Sequence, residues 1–121
     1  MVNDLGGGVD GSGSATGPAQ DVVAEIRAMG GEAVANTDDI ADGAGARNLI
    51  QTAIDHFGRL DVLVNNAGTL RDRALANMTE DEWDAVMRVH LKGTYAPSHV
   101  AAQYWRDLAD RKSTRLNSSH T

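Results

Sequence analysis

From residue 17 onward the apolar positions alternate between helical spacing and short unbroken runs. Val22, Val23, Ile26 and Met29 recur at helical intervals behind Pro18, and Gly30-Gly31 closes the stretch. Pro18 suits the first helical position, where its missing N–H has no intrahelical partner to lose. Glu32, Ala33, Val34, Ala35 and Asn36 read as a short strand, followed by an acidic turn at Asp38-Asp39-Ile40. Ile50, Ala53, Ile54 and Phe57 then form the stripe of a second helix that stops at Gly58. Leu60, Val62, Leu63 and Val64 form an apolar, β-branched run, which predicts a strand buried on both faces. Beyond a polar loop, Thr79 and Glu82 make a capping box ahead of a third helix. Trp83, Val86, Met87, His90, Leu91, Thr94 and Tyr95 share one face of it, and it continues through Ala101, Ala102 and Tyr104. Gly93 allows close packing there, and Pro97 is expected to bend the helix. With Met1 to Leu5 as a strand stub, helices and strands alternate as in an α/β protein with a parallel sheet.

Composition narrows the function. At 121 residues there is room for one modest domain, and its low aromatic content leaves Ala, Val, Leu and Ile to build the core. Without cysteine there is neither a disulfide framework nor a thiolate metal site. A net charge of -6 argues against nucleic-acid binding, which needs clustered Lys and Arg. No apolar run approaches membrane-spanning length and the N-terminus has no signal-peptide pattern, so a cytoplasmic protein is expected.

The chemistry concentrates where the central run ends, at Asn65-Asn66-Ala67-Gly68. In open α/β sheets ligands bind at that carboxyl edge. An Asn there both donates and accepts, tying strand ends together or bonding a ribose or nicotinamide. Ala67 and Gly68 leave room for a flat ligand and a sharp turn. Upstream, Gly6, Gly8 and Gly11 spell a G-x-G-x-x-G string. A phosphate-binding turn needs a full strand before it and a helix directly after it, and neither is present. A flexible connection is the better reading.

Asn-Asn-Ala-Gly after such a strand resembles the short-chain dehydrogenase/reductase family, and the likeness runs from about Val2 to Arg106. Within the family, Gly31 to Asn36, Leu70-Arg71-Asp72-Arg73 and Val89-His90-Leu91-Lys92-Gly93 are similar to (3R)-hydroxyacyl-CoA dehydrogenase domains of multifunctional β-oxidation enzymes. The resemblance implies the second to fourth strands of a Rossmann-type doubly wound parallel sheet, residues 1–109 being a partial nucleotide-binding domain. It implies NAD rather than NADP, because Asp4 matches the carboxylate that accepts both adenosine ribose hydroxyls and would repel a 2′-phosphate. Taken alone, Asp4 reads as a turn aspartate before glycine. Asp38 matches the adenine-amino contact, with Asp39 and Ile40 lining the adenine pocket; the alternative is an N-cap for the next helix. Asn65, Asn66, Ala67 and Gly68 match the nicotinamide-ribose end. His90 stands where most members carry an active-site Asn, implying that it holds a water and the catalytic lysine in a proton relay; the alternative is a packed helix histidine.

The implied activity is hydride transfer between a nicotinamide and a secondary alcohol, with an acyl-CoA as the substrate and a homodimer or homotetramer as the assembly. A 3-oxoacyl-carrier-protein reductase and a non-catalytic nucleotide-binding protein are the alternatives. The departures are equally specific. Family members use Tyr-x-x-x-Lys, but His99 lies four residues after Tyr95 and Leu108 four after Tyr104. The orienting serine also lies on a strand that is missing here. Asp110 to His120 reads as a translated sequencing-library adapter, so residues 110–121 are expected to be read-through. In the family's strand order 3-2-1-4, the first strand separates the second from the fourth. Its loss leaves the run at 60–64 unpaired, so the chain as written is expected to be unstable and inactive.

Overall fold

The computed structural model describes residues 1–6, 17–68 and 74–119. Most of the glycine string, and Leu70 to Arg73, therefore lie outside the described residues. The elements in order are β1 (Val2–Asn3), α1 (Pro18–Ala28), β2 (Ala35–Asn36), α2 (Gly43–Phe57), a 3-10 turn (Leu75–Asn77), α3 (Glu80–Met87), a π-helical turn (Arg88–Lys92) and α4 (Gly93–Ser119).

Local chemistry sets the helix ends. Pro18 opens α1, and a Schellman arrangement closes it. Gly30 takes φ 90°, its N–H donates to the Arg27 carbonyl, and the Gly31 N–H donates to Ile26. The Arg27 guanidinium then donates from Nε and Nη2 to the Ala33 carbonyl at 3.1 and 2.8 Å, fixing the path into β2. Gly58 ends α2 in the left-handed region, donating to Ile54. Thr79 caps α3 by accepting from the Glu82 N–H at 3.1 Å; the return contact runs from its hydroxyl to the Glu82 carboxylate. The N-cap position of α2 falls to Asp42, without a side-chain bond, so neither Asp38 nor Asp39 caps that helix.

β1 and β2 pair in parallel, Val2 opposite Ala35 and Asn3 opposite Asn36. α1 covers them through buried Ala19 and Val23. The remaining core lies where α2 packs on α4, with Ala46, Leu49, Ile50 and Ala53 buried on one and Ala96, Pro97 and Ala101 on the other. Small side chains predominate on these faces, consistent with a core built almost without aromatics.

Two sequence expectations need correction. Residues 60–64 form no strand among the described residues, and Val62 and Val64 are 72% and 77% exposed rather than buried. The described sheet holds β1 and β2 alone, so no neighbouring strand offers this run a ladder or covers its faces. It is tethered from α4 instead: Trp105 Nε1 donates to the Leu60 carbonyl at 2.7 Å. The third helix is also not one uniform helix. A π turn interrupts it at Arg88–Lys92. Trp83, Leu91 and Tyr95 stay 51%, 60% and 62% exposed, while Gly93, Ala96, Pro97 and Ala101 turn inward. α4 runs on to Ser119, across the stretch that carries no apolar period.

Candidate functional site

A cleft of about 940 Å³ opens between the ends of β1 and β2 and the run that leads to Gly68. Its size suits a small-molecule or cofactor site. Asp4, Asp38, Asp39, Ile40, Asn65, Asn66, Ala67 and Gly68 all line it, together with apolar Leu49, Ile50, Ala53 and Leu63. His90 is outside that lining but adjoins it. A β-carbon on Gly68 would lie 2.8 Å from His90 Cε1, so the glycine is what lets the two segments meet. The sequence-predicted residues are thus brought together along one groove, although they span the chain from residue 4 to residue 90.

The strand ends are locked by a network of short polar side chains. Asn3 Nδ2 donates to Asn36 Oδ1 at 2.7 Å and to the Asp38 carbonyl at 3.0 Å. The Asp38 N–H returns to Asn36 Oδ1 at 3.0 Å. Asp38 Oδ2 accepts the Asn36 amide at 2.7 Å and the Asn48 amide as well. Asn36 is buried, so this bonding offsets the cost of taking its amide out of water. The carboxylate of Asp38 is therefore oriented before any ligand arrives. Asp4 accepts from the Gly6 N–H at 2.9 Å, the turn contact its sequence position suggests, and still faces the cleft. Asn65 Nδ2 donates to Ser98 Oγ at 3.1 Å, a second tether from α4.

Asp39 is placed differently from its neighbour. Oδ1 accepts the Ala41 N–H at 2.9 Å, and Oδ2 pairs with Arg88 Nη2 at 2.8 Å. The Arg88 hydrogen bond is the main reason its carboxyl titrates below the ordinary carboxylate value, against an opposing push from burial. A carboxyl lowered by folding stabilises the protein above its unfolded pKa, and that stabilisation is lost as pH falls through the folded value. In a full-length protein carrying this segment, Asp39→Asn should therefore lower the urea midpoint at pH 7. The deficit should shrink as the pH is taken from 5 towards 3. A deficit independent of pH would contradict the ion pair. Both side chains are partly exposed, so the loss is small, at most about 1 kcal/mol.

Sequence reasoning did not find Asn36, Asn48, Arg88, Ser98 or Trp105 as supports. For Asn36 a signal existed, since Asn-Thr-Asp at a strand end is a local side-chain-to-backbone turn. The partners on α2, the π turn and α4 are distant in sequence and carry no local signal. Among the described residues no group of three His, Asp or Glu side chains could hold a metal ion, and no helix is long and apolar enough to cross a membrane.

Comparison with known proteins gives a consistent result. A model described as short chain dehydrogenase matches residues 9–116. Peroxisomal multifunctional enzyme A of Dictyostelium discoideum is 50% identical over 116 residues, covering 96% of this chain and 25% of its own length. A hydroxyacyl-CoA dehydrogenase of Mycobacterium tuberculosis is 45% identical, covering 90% of this chain and 33% of its own. Among solved structures, a short chain dehydrogenase from Mycobacterium avium superposes with a TM-score of 0.83 at 56% identity, over 92% of this chain and 39% of that one. One from Burkholderia cenocepacia, in complex with NADP, has a TM-score of 0.65 at 41% identity, over 70% of this chain and 35% of that one. The chain thus spans between a quarter and two fifths of the length of these relatives.

Proposed function

Because this chain belongs to the short chain dehydrogenase family, we propose that it supplies part of the coenzyme site of an NAD-linked enzyme that oxidises a (3R)-hydroxyacyl-CoA. The observation that carries this reading is the single groove that Asp4, Asp38 and Ile40 line together with Asn65 to Gly68. A groove of about 940 Å³ with both polar and apolar lining suits a dinucleotide. Bound NAD would supply the hydride acceptor, and the residues here would bind and orient it. Asp4 accepts the adenosine ribose hydroxyls. The pre-oriented carboxylate of Asp38 takes the adenine amino group, beside Ile40. Asn65 and Ala67 lie along the nicotinamide ribose, and Asn66 joins that end of the groove. His90, set against Gly68, holds a water in the proton relay of the complete enzyme.

The Burkholderia relative is an NADP complex, so the choice of coenzyme rests on Asp4. Its negative charge opposes a 2′-phosphate, and an uncompensated like-charge contact costs several kcal/mol. A full-length enzyme carrying this segment should turn over a (3R)-3-hydroxyacyl-CoA with kcat/KM about 100-fold higher for NAD than for NADP, and Asp4→Asn should erode that ratio about tenfold or more. Absorbance of the reduced nicotinamide measures both. An equal rate with NADP would overturn the coenzyme assignment, and turnover of simple secondary alcohols alone would overturn the substrate class. Exposed Trp83, Leu91 and Tyr95 on α3, the π turn and α4 supply the apolar surface for a homodimer or homotetramer of that enzyme.

A further inference from the structure

The π turn is the only one among the described residues, and both of its ends touch the same dipeptide. Arg88, its first residue, pairs with the Asp39 carboxylate at 2.8 Å. Gly93, the residue after its last, packs on Ile40: a β-carbon there would sit 3.2 Å from Ile40 Cδ1. Asp39 is itself held from behind. A β-carbon on Gly45 of α2 would lie 2.2 Å from the Asp39 carbonyl oxygen, so the helix backbone presses directly on that residue. Asp39 Oδ1 also closes its own turn through the Ala41 N–H. Between the two clamped ends lies His90, against Gly68.

We propose that Asp39 and Arg88 are positioning residues, a staple that holds the π turn in phase and so keeps His90 at Gly68. A π turn carries one more residue than an α turn over the same path and is retained where something outside the helix holds it. Here the outside support is the turn that also lines the coenzyme cleft. Relaxing the staple would let residues 88–92 return to α-helical bonding, rotating His90 away from Gly68 by about a quarter turn.

The functional half of this proposal rests on the NAD-linked reading above; the structural half does not. The test uses the full-length enzyme with Asp39→Asn, Arg88→Gln and the double variant. Two readouts are taken: steady-state kinetics with NAD binding, and hydrogen exchange of the backbone at residues 88–92. The staple predicts that kcat falls about tenfold in either single variant and no further in the double, while the Kd for NAD of Arg88→Gln, whose arginine does not line the cleft, stays within about twofold. The exchange pattern at 88–92 should change, and to the same extent in all three. Additive losses of kcat would overturn it, as would unchanged exchange. Weakened NAD binding with kcat retained in Arg88→Gln would also overturn it. If the wild-type enzyme neither binds NAD nor turns over, the coenzyme reading fails and exchange alone decides the staple. Should Asp39→Asn not fold, Arg88→Gln reads the same pair from its more exposed side.

Discussion

Heated alone, the 121-residue chain should give no cooperative near-ultraviolet transition, and it should bind a hydrophobic dye before heating. Residues 60–64 are the reason. Among the described residues they have no sheet partner, and Val62 and Val64 stand largely in solvent. Trp83, Leu91 and Tyr95 add apolar surface that is more than half open to solvent. Restoring a strand against 60–64 would bury these valines at about 1.5–3 kcal/mol each, and the chain forgoes that stabilisation. A typical domain has about 5–15 kcal/mol in total, so the deficit consumes much of the margin. Trp83 and Trp105 make the near-ultraviolet signal informative, because Trp105 is fixed by its bond to Leu60 only while α4 and that run stay together. A sharp sigmoidal transition of the isolated chain would show that the α2–α4 core suffices without the strand.

The second large effect concerns Gly45. In a full-length enzyme, Gly45→Ala should lower stability by about 3 kcal/mol or more, read from the urea midpoint at unchanged slope. The added methyl would meet the backbone of Asp39 on three atoms, at 2.2, 3.1 and 3.2 Å, and a backbone cannot swing aside as a side chain can. Relief requires moving α2 away from the turn at residues 38–40, which would also disturb the Asp38 network and the contact with Arg88. Gly43, two residues earlier, is the control. A β-carbon there meets nothing within 4 Å, so Gly43→Ala should leave stability unchanged or raise it by about 0.5–1 kcal/mol through reduced unfolded-chain entropy. Equal effects at the two positions would mean that α2 does not rest on Asp39.

These glycines also show where sequence was informative. Pro18, Gly30-Gly31, Gly58 and Thr79 mark helix ends through local chemistry, and each acts as its type and position suggest. The expected coenzyme residues also fall along one groove, as turns that follow the sheet's strands and the run at 60–64 would bring them. What escaped was set by distant partners. The run at 60–64 has the composition of a buried strand, yet burial depends on neighbours that composition cannot supply. The π turn has no pattern of its own, since Arg88 and Gly93 are ordinary helix residues until Asp39 and Ile40 meet them. Asp39 and Asp38 look alike in sequence. In the fold, one carboxylate is tied to Arg88 and the other is oriented by two asparagines towards the groove.

The most direct test of the central claim is to read the source DNA through both ends of this frame. We expect the full-length protein that carries this segment to hold a strand and glycine turn before it and, after it, a strand bearing Ser followed by Tyr-x-x-x-Lys. A continuous frame that keeps Asn65 to Gly68 but carries other residues in place of that Tyr and Lys would contradict it, leaving a nucleotide-binding protein without dehydrogenase chemistry.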